Sequence, residues 1–291
     1  MVVLAQDKTQ RLEILGFRER NFSREMKYYI GIDVGGSTLR GVLLGGQSPK
    51  ILRRIAVPIP PHLPAFNKSL PALARFLAHN RKIHGIGIGL PGAVDIRRAL
   101  IRRAANIPYL KNWSARRALA SLRLPVRAEN DSKCLAIAEA RYGAGKGYRN
   151  VVAVSIGTGI GAGVFIKGKL YRGSHGSAGE IGHTIVDIHR KKTFEKLGAK
   201  TAFLKHGNRS SVIGVGIANT INTFDPEIVI LGGGGGLSRH VNLKIVRRVA
   251  AHHTLRSLRG KTLIVKGKLG ESAQAIGAAL LFITPKNSSK R

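Results

Sequence analysis

The chain has 291 residues, enough to bury a large core in two lobes or domains. Its 49 lysines and arginines against 15 acids give a formal charge of +34, which attracts polyanions. The single cysteine, Cys134, excludes a disulfide framework, and no segment reaches the roughly 20 apolar residues of a membrane span. We therefore expect a cytoplasmic protein with no membrane association.

The basic residues are scattered along the chain in short groups such as Arg102-Arg103 and Arg190-Lys191-Lys192. No RNP-like aromatic strand, zinc-finger spacing or dense basic arm accompanies them. A solvated basic surface explains this pattern more simply than dedicated nucleic-acid recognition. No nucleic-acid partner is therefore expected.

The predicted elements alternate between strand and helix along the chain. In the first half, the patterning predicts helices at 69–79, after Ser114 and from Asp131 onward, and strands at 28–33, 39–44, 51–57, 83–90 and 125–129. In the second half it predicts helices near 193–205, 212–223, 238–252 and 272–282, and strands at 151–156, 162–166 and 262–268. A further buried strand ends in a turn of five glycines, 232–236. This alternation predicts an α/β architecture.

Both halves open with a strand, a glycine-rich turn and a second strand, which predicts an internal duplication. The first turn is "DVGGST", from Asp33 to Thr38, and the second is "GTGIG", from Gly157 to Gly161. Glycine lets backbone N–H groups approach a ligand closely, and hydroxyl groups add donors. One such turn alone is more often a plain hairpin. Two in matching positions favour a phosphate chain held from both sides of a cleft.

Several segments, taken in order, resemble the ROK family of repressors, open reading frames and sugar kinases. They are "IGIDVGGSTLRGVLL", "GIGIGLPGAVD", "AENDSKCLAIAEARYGAGKG", "VSIGTGIGAGVFIKGKLYRGSHGSAGEIGH" and "INTFDPEIVILGGG". The resemblance runs from about Lys27 to about Phe282. It implies an α/β fold of two actin-like (ribonuclease H-like) lobes around a central cleft that binds a nucleotide and a sugar. It also implies a homodimer.

The domain boundaries that follow from this resemblance are an N-terminal lobe at 27–130 and a C-terminal lobe at 131–271. A helix at 272–284 is expected to pack back on the N-terminal lobe, before a basic tail at 285–291. Residues 1–26 form an N-terminal extension. Because Met26 directly precedes the first matching strand, we expect the residues before it to be loosely attached and dispensable.

The resemblance implies that Asp131 is the catalytic base, which receives the proton of a sugar hydroxyl. From the residues alone, Asp131 could equally be a helix N-cap. The sugar-binding residues implied by the resemblance are Asn130, Glu180, His183, Glu195, Gly92 and Asn106. Two of them keep an alternative: Glu195 could be an exposed helix glutamate, and Asn106 could be a loop cap.

The nucleotide site implied by the resemblance is spread over three glycine-rich segments. Its residues are Asp33, Gly35, Gly36, Ser37, Thr38, Gly157, Thr158, Gly159, Gly232, Gly233, Gly234 and Gly235. Asp33 is expected to hold Mg²⁺ through water. Many relatives bind zinc through the histidine that corresponds to His183 and three cysteines that follow it. The segment "HTIVDIHRKKTFEKLGAK", which begins at His183, contains no cysteine. No zinc is therefore expected.

Together these residues predict the transfer of the γ-phosphate of ATP to a hydroxyl, O6, of a hexose or N-acetylhexosamine, with ATP and Mg²⁺ as cofactors. Two alternatives remain. Inorganic polyphosphate could replace ATP as donor in so basic a protein, although the glycine run 232–236 offers adenosine a site. A non-catalytic sugar-sensing regulator is disfavoured, since the about 26 residues before the first strand are too few for a helix-turn-helix domain.

Overall fold

The structure is a computed structural model, and it describes residues 26–46, 50–104, 106–199, 202 and 209–283. The expected extension before Met26 and the basic tail 285–291 lie outside the described residues, as does most of 200–208. Within them the helices are α1 (Leu63–Ala78), α2 (Ala115–Ala118), α3 (Asp131–Tyr142), α4 (Phe194–Gly198), α5 (Arg209–Phe224), α6 (Gly233–Leu237), α7 (Leu243–His253) and α8 (Ala273–Ala279).

The strands of the described residues form two large sheets and two small ones. They are β1 (Tyr28–Val34), β2 (Thr38–Gly45), β3 (Lys50–Pro58), β4 (Ile83–Leu90), β5 (Ala93–Asp95), β6 (Leu100–Arg103), β7 (Trp113–Ser114), β8 (Val126–Asn130), β9 (Val151–Ile156), β10 (Ile160–Ile166), β11 (Lys169–Tyr171), β12 (Ile185–Asp187), β13 (Lys192–Thr193), β14 (Ile228–Gly232) and β15 (Leu263–Lys266).

The two large sheets repeat one topology. The first has the strand order β3-β2-β1-β4-β8, and the second has the order β11-β10-β9-β14-β15. In each sheet, the first three strands in sequence pair antiparallel and the last two join in parallel. The mixed α/β architecture is as the sequence predicted, and the repeated order agrees with an internal duplication.

Helix α8 lies directly on the first sheet, although it follows the last strand of the second. A side chain on Gly31 in β1 would overlap the carbonyl oxygen of Ala275, and one on Gly87 in β4 would overlap that of Ala278. Glycine is required at both positions because the backbone of the helix occupies the space of a Cβ atom. The C-terminal helix thus contacts the sheet formed by the N-terminal half of the chain.

Helices α3 and α8 pack against each other between the two sheets. A Cβ on Gly277 would overlap the carbonyl oxygen of Cys134, so the two backbones touch. An apolar cluster around this contact draws on both halves of the chain. It includes Val42 from β2, Leu135 from α3, Ala153 from β9, Ile230 from β14 and Ile276 from α8. Burial of these side chains ties the two sheets into one core.

Four predicted elements differ in the structure. The helix predicted near 193–205 is confined to Phe194–Gly198 within the described residues. Helix α1 begins at Leu63 rather than near residue 69, because His62 caps it through Nδ1, which accepts the Ala65 N–H at 3.3 Å. The predicted five-glycine turn is wrong as a turn. Its first residue, Gly232, ends β14, and the remaining four begin α6, which packs on β9. Helix α7 begins after Asn242, whose side chain caps it.

Candidate functional site

The first feature of the site is the junction between β8 and α3. Asn130 is the N-cap of α3, and its Oδ1 accepts the N–H groups of Ser132 at 3.1 Å and of Lys133 at 3.2 Å. Its Nδ2 donates to the carbonyl oxygen of Gly92 at 3.3 Å. The cap is therefore Asn130, and the alternative reading of Asp131 as the N-cap is wrong.

Asp131 is the first residue of α3, and its carboxylate does not cap the helix. Oδ1 accepts the N–H of Ser132 at 2.7 Å and the Ser132 hydroxyl at 3.3 Å. The pKa of Asp131 is raised to about 6, mainly by burial and in smaller part by the carboxylate of Glu180, whereas the Ser132 hydrogen bonds and the charge of Lys133 lower it. A carboxylate with such a pKa is ionised at neutral pH and is a stronger base than an exposed one.

Asp33, at the end of β1, is a second carboxylate and is buried, with only 3% of the residue exposed. Burial, followed by the nearby charge of Asp131, raises its pKa to about 8, and Arg40 lowers it. Arg40 lies directly opposite Asp33 on β2. A buried acid held at so high a pKa lacks sufficient counter-charge, and this fits a place for a divalent cation.

The structure brings the two predicted glycine turns together. The Gly35 N–H donates to the Thr38 carbonyl at 3.0 Å and closes the first turn, and the Gly157 N–H donates to the Gly159 carbonyl at 2.8 Å and closes the second. A Cβ on Gly36 would lie 3.1 Å from the hydroxyl oxygen of Thr158. The side chains of Ser37 and Thr38 lie on the same turn as Gly36, with their hydroxyls 3.5 Å apart.

Glu195 and Asn106 lie beside the second turn. Glu195 is half-buried, and its Oε2 accepts the Ile160 N–H at 2.7 Å. A Cβ on Gly159 would lie 2.6 Å from that oxygen and 3.7 Å from the Nδ2 of Asn106. The exposed-glutamate alternative for Glu195 is therefore wrong. Asn106 lies between the first turn, where it approaches Gly36, and the second.

Glu180 and His183 are neighbours on a loop of the second half. The loop ends in a single 3₁₀ turn, Ile181–His183, and His183 Nε2 lies 3.9 Å from Glu180 Oε2. Both side chains are largely exposed, as ligands of a substrate must be before it binds. The effect of Glu180 on the pKa of Asp131 shows that this loop faces the start of α3.

The remaining predicted glycines have different surroundings. Gly92 has a φ of +73°, and a Cβ there would overlap the Arg103 carbonyl oxygen, so only glycine fits this turn. Gly233 also has a positive φ, at the start of α6. Gly234 has open space around it, whereas Gly235 lies against the side chain of Arg209. Gly234 therefore has open space on the side where a Cβ would lie.

The site contains an ion pair between Glu129 and Arg172 that was not predicted from the sequence. Glu129, the residue before Asn130, has a side chain only 3% exposed, and its Oε2 accepts a hydrogen bond from Arg172 Nε at 2.8 Å. Glu129 Oε1 accepts the N–H of Asn130 at 3.0 Å. The only available signal was an acid at the end of a buried strand. Its partner is 43 residues away, which no local pattern reveals.

The described residues contain neither a cluster of metal-binding side chains nor a membrane-spanning helix. No group of three or more His, Cys, Asp or Glu side chains that could hold a metal ion occurs in the part of the chain that the structure describes. No helix there is long and apolar enough to cross a membrane. A divalent cation would therefore rely on Asp33 together with water and substrate oxygens, which is the ordinary coordination of Mg²⁺ by nucleotide-binding proteins.

Among characterised proteins, the chain is 28% identical over 310 residues to the N-acetyl-D-glucosamine kinase of Haemophilus influenzae, covering 88% of this chain and 99% of that one. It is 27% identical over 315 residues to the xylose repressor of Bacillus subtilis, covering 90% of this chain and 78% of the repressor.

Two solved structures share the fold. One is a ROK family glucokinase from Streptomyces griseus in complex with glucose and AMPPNP, with a TM-score of 0.80, 24% identity and coverage of 87% and 98% of the two chains. The other is the inorganic polyphosphate/ATP-glucomannokinase of an Arthrobacter strain, with a TM-score of 0.70, 28% identity and coverage of 88% and 98%.

The family model described as "ROK family" matches residues 29–202 and 195–284, which is most of the chain. The chain therefore belongs to the ROK family, and its two sheets have the actin-like α/β fold of that family.

Proposed function

We propose that the protein is a sugar kinase that transfers the γ-phosphate of ATP to a hydroxyl, O6, of a hexose or N-acetylhexosamine. The observation that carries this proposal is the half-buried carboxylate of Asp131, with a pKa of about 6, at the start of a helix that the Glu180 loop faces. The kinases to which the chain is similar, an N-acetyl-D-glucosamine kinase and a glucokinase, support the same reaction class.

Asp131 is the general base of the proposed reaction. Ser132 occupies Oδ1 with two hydrogen bonds, which leaves Oδ2 to accept the proton of the attacking sugar hydroxyl. Because Asn130 caps the helix, Asp131 is not needed for that purpose. Phosphoryl transfer depends mainly on positioning and charge stabilisation, so a fixed carboxylate is the contribution expected of the chain.

The sugar ligands in this proposal are the polar groups around Asp131. Glu180 and His183 would bind hydroxyls from one side, and Asn130 would donate the hydrogen of Nδ2 that Gly92 does not take. Asn106 and Glu195, beside the second glycine turn, would complete the sugar pocket next to the phosphate chain. Carboxylates and amides recognise hydroxyls of any hexose, so these residues support a substrate class rather than one sugar.

The phosphate chain would lie at the two glycine turns, whose backbone N–H groups and Ser37, Thr38 and Thr158 hydroxyls are donors. Asp33 would hold Mg²⁺ through water, since a buried, under-neutralised carboxylate favours a nearby cation. When bound, the ion would neutralise charge on the transferring phosphate. The adenosine would lie beside Gly232 to Gly235, with Gly234 as the open point of approach.

Inorganic polyphosphate is the second candidate donor. Two observations favour it: the formal charge of +34, and the similarity to a kinase that is named for both polyphosphate and ATP. ATP remains the first candidate because the open glycine segment at Gly234 suits a nucleoside, which polyphosphate lacks. A non-catalytic sugar sensor, in line with the similar xylose repressor, would need Asp131 for binding only.

A coupled assay of a sugar panel, with ATP or polyphosphate supplied alone, tests these proposals. We expect turnover of at least one hexose or N-acetylhexosamine with ATP and Mg²⁺. Faster turnover with polyphosphate would reverse the choice of donor. Sugar binding in calorimetry without turnover from either donor would refute the kinase and favour the sensor.

A further inference from the structure

The ion pair between Glu129 and Arg172 joins two parts of the site that belong to different halves of the chain. Glu129 is the next-to-last residue of β8, in the first sheet, and Arg172 directly follows β11, in the second. The contact is 2.8 Å from Arg172 Nε to Glu129 Oε2. Of the five ion pairs found among the described residues, this is the only one whose carboxylate is nearly fully buried.

Each partner is also bonded to the segment that it supports. Glu129 Oε1 accepts the N–H of Asn130, the residue that caps α3 and directly precedes Asp131. The carbonyl oxygen of Arg172 accepts the N–H of Ala178 at 3.0 Å, and this hydrogen bond closes the loop segment that precedes Glu180. A series of polar contacts therefore runs from Asn130, the residue before Asp131, to Ala178, two residues before Glu180.

Two other glutamates are bound differently. Buried Glu139 accepts the backbone N–H groups of Ala144, Lys268 and Leu269, and Glu227 accepts two backbone N–H groups. Within the described residues, neither has an arginine partner. Glu129 instead has a guanidinium, whose planar fork fixes direction as well as distance.

We propose that Glu129 and Arg172 are a positioning pair that holds the loop of Glu180 and His183 at a set distance from Asp131. The proposal rests on the proposed kinase function, because the distance matters only if a sugar bridges the two. With the pair intact, the hydroxyl held by the loop meets the carboxylate of the base. The hydrogen bonds of the pair among the described residues go to Asn130 and Ala178 and to neither glycine turn, so we expect it to act on the sugar and not on the donor.

Arg172→Met tests the pair by keeping much of the side-chain length and removing the charge. We expect kcat with the best sugar to fall by about 10²-fold, since a displacement near 1 Å can cost that much. The KM for the sugar should rise about tenfold, and the KM for the donor should stay within about twofold of wild type. Arg172→Lys, which keeps the charge without the fork, should recover part of the loss.

Glu129→Gln should have the same sugar-specific effect. The double variant should fall no further than the worse single variant, because both changes break one link. Two control variants should keep wild-type kinetics. They are Arg190→Met, which breaks the exposed pair with Asp187, and Glu139→Gln, which removes a buried charge on α3 away from the site.

Hydrogen–deuterium exchange gives a readout that does not depend on activity. In Arg172→Met, amide exchange should accelerate in segments 173–183 and 130–132 and stay unchanged in β9 and β14. If the wild-type protein phosphorylated no sugar, the kinase would be refuted, and the exchange pattern would still decide whether the pair links the two segments. Should Arg172→Met fail to fold, Arg172→Lys and Glu129→Gln carry the same comparison.

Two outcomes would overturn the proposal. The first is that both Arg172→Met and Glu129→Gln keep a kcat and a sugar KM within about twofold of wild type. The other is a loss shared equally by sugar and donor constants, together with faster exchange throughout the chain, which would make the pair a general stabilising contact.

Discussion

At the residue scale, Asn130 and Asp131 divide two tasks that a single acid often combines. Asn130 caps α3, and the carboxylate of Asp131 is left with one oxygen unoccupied by the protein. Separation of the two tasks means that a substitution at either residue should affect only one of them. Folding and chemistry can thus be tested independently at adjacent positions.

Asp131→Asn should lower kcat by roughly 10²–10⁴-fold, because the amide has the shape of the carboxylate but cannot accept the proton. Thermal stability at neutral pH should be at least that of wild type, because the cap is at Asn130 and the substitution removes a carboxylate whose pKa the fold raises. Asn130→Ala is the complement, with a loss of about 0.5–2 kcal/mol of unfolding free energy. Near-full activity of Asp131→Asn on the best sugar would contradict the assigned role.

Asp33 predicts a pH dependence of stability. Its pKa is about 8 in the folded protein, against about 4 for an ordinary aspartate, so between these pH values the folded state holds a proton that the unfolded chain has released. The free energy of unfolding of the metal-free protein should therefore fall as the pH rises from about 4 to about 8. Urea denaturation at several pH values measures this slope.

Asp33→Asn should flatten this slope and make the protein more stable than wild type near pH 8.5, while activity is lost. Asp225→Asn, at an exposed acid, is the control and should leave the slope as in wild type. An Asp33→Asn slope equal to that of wild type would show that Asp33 is not the group that titrates.

Residue-scale prediction from the sequence succeeded where the partners are adjacent or part of a repeated pattern. The two glycine turns stand out because the same strand–turn–strand pattern occurs twice, whereas the role of Asp131 rests on the family resemblance and stays a prediction. Glu129 and Arg172 could not be paired in advance, because their contact depends on how β8 and β11 approach in space. Nor could the sequence assign the cap to Asn130 rather than Asp131, since both residue types cap helices well.

At the element scale, the longer strands of the two large sheets were predictable because most are apolar runs between turn residues. The short strands β5, β6, β7, β11, β12 and β13 were missed. The start of α1 was missed because the prolines at 60, 61 and 64 are typical of loops, and only the His62 cap makes that start favourable. Helix α6 was missed because four glycines oppose helix formation. Its packing on β9 outweighs that propensity, and a sequence pattern does not report packing.

Gly277→Ala tests the close packing of α3 and α8. Alanine normally stabilises a helix by about 1 kcal/mol relative to glycine, but here the added Cβ would overlap the Cys134 carbonyl oxygen. We expect a net loss of about 1–3 kcal/mol in urea denaturation. Gly234→Ala in α6, with no atom near the added Cβ, is the control and should keep or raise stability by up to about 1 kcal/mol. Stabilisation by Gly277→Ala would show that the helices separate at no cost.

At the scale of the whole molecule, the charge of +34 is the dominant property. Few of the basic side chains are neutralised, since only five ion pairs occur among the described residues. A field of this size acts over about 8 Å at physiological ionic strength, well beyond any single contact. The expected homodimer would double the charge, and it stays a prediction that light scattering can test.

Polyphosphate binding should therefore weaken steeply with salt, with a linear fall of the logarithm of the association constant against the logarithm of salt concentration. The KM for ATP should depend on salt much less, because ATP carries few charges. Titrations at several salt concentrations measure both, and Asp131→Asn is the control that binds polyphosphate without turnover. Equal salt dependence for the two donors would contradict a role of the overall field.

The position of α8 has a consequence for how the protein is made. Gly31 and Gly87 in the first sheet accommodate a helix that is translated after every strand of both large sheets. During synthesis, that face of the first sheet stays uncovered until the strands of the second sheet have also been made. Docking of α8 can only follow that point, and an uncovered apolar sheet face is prone to aggregation before it.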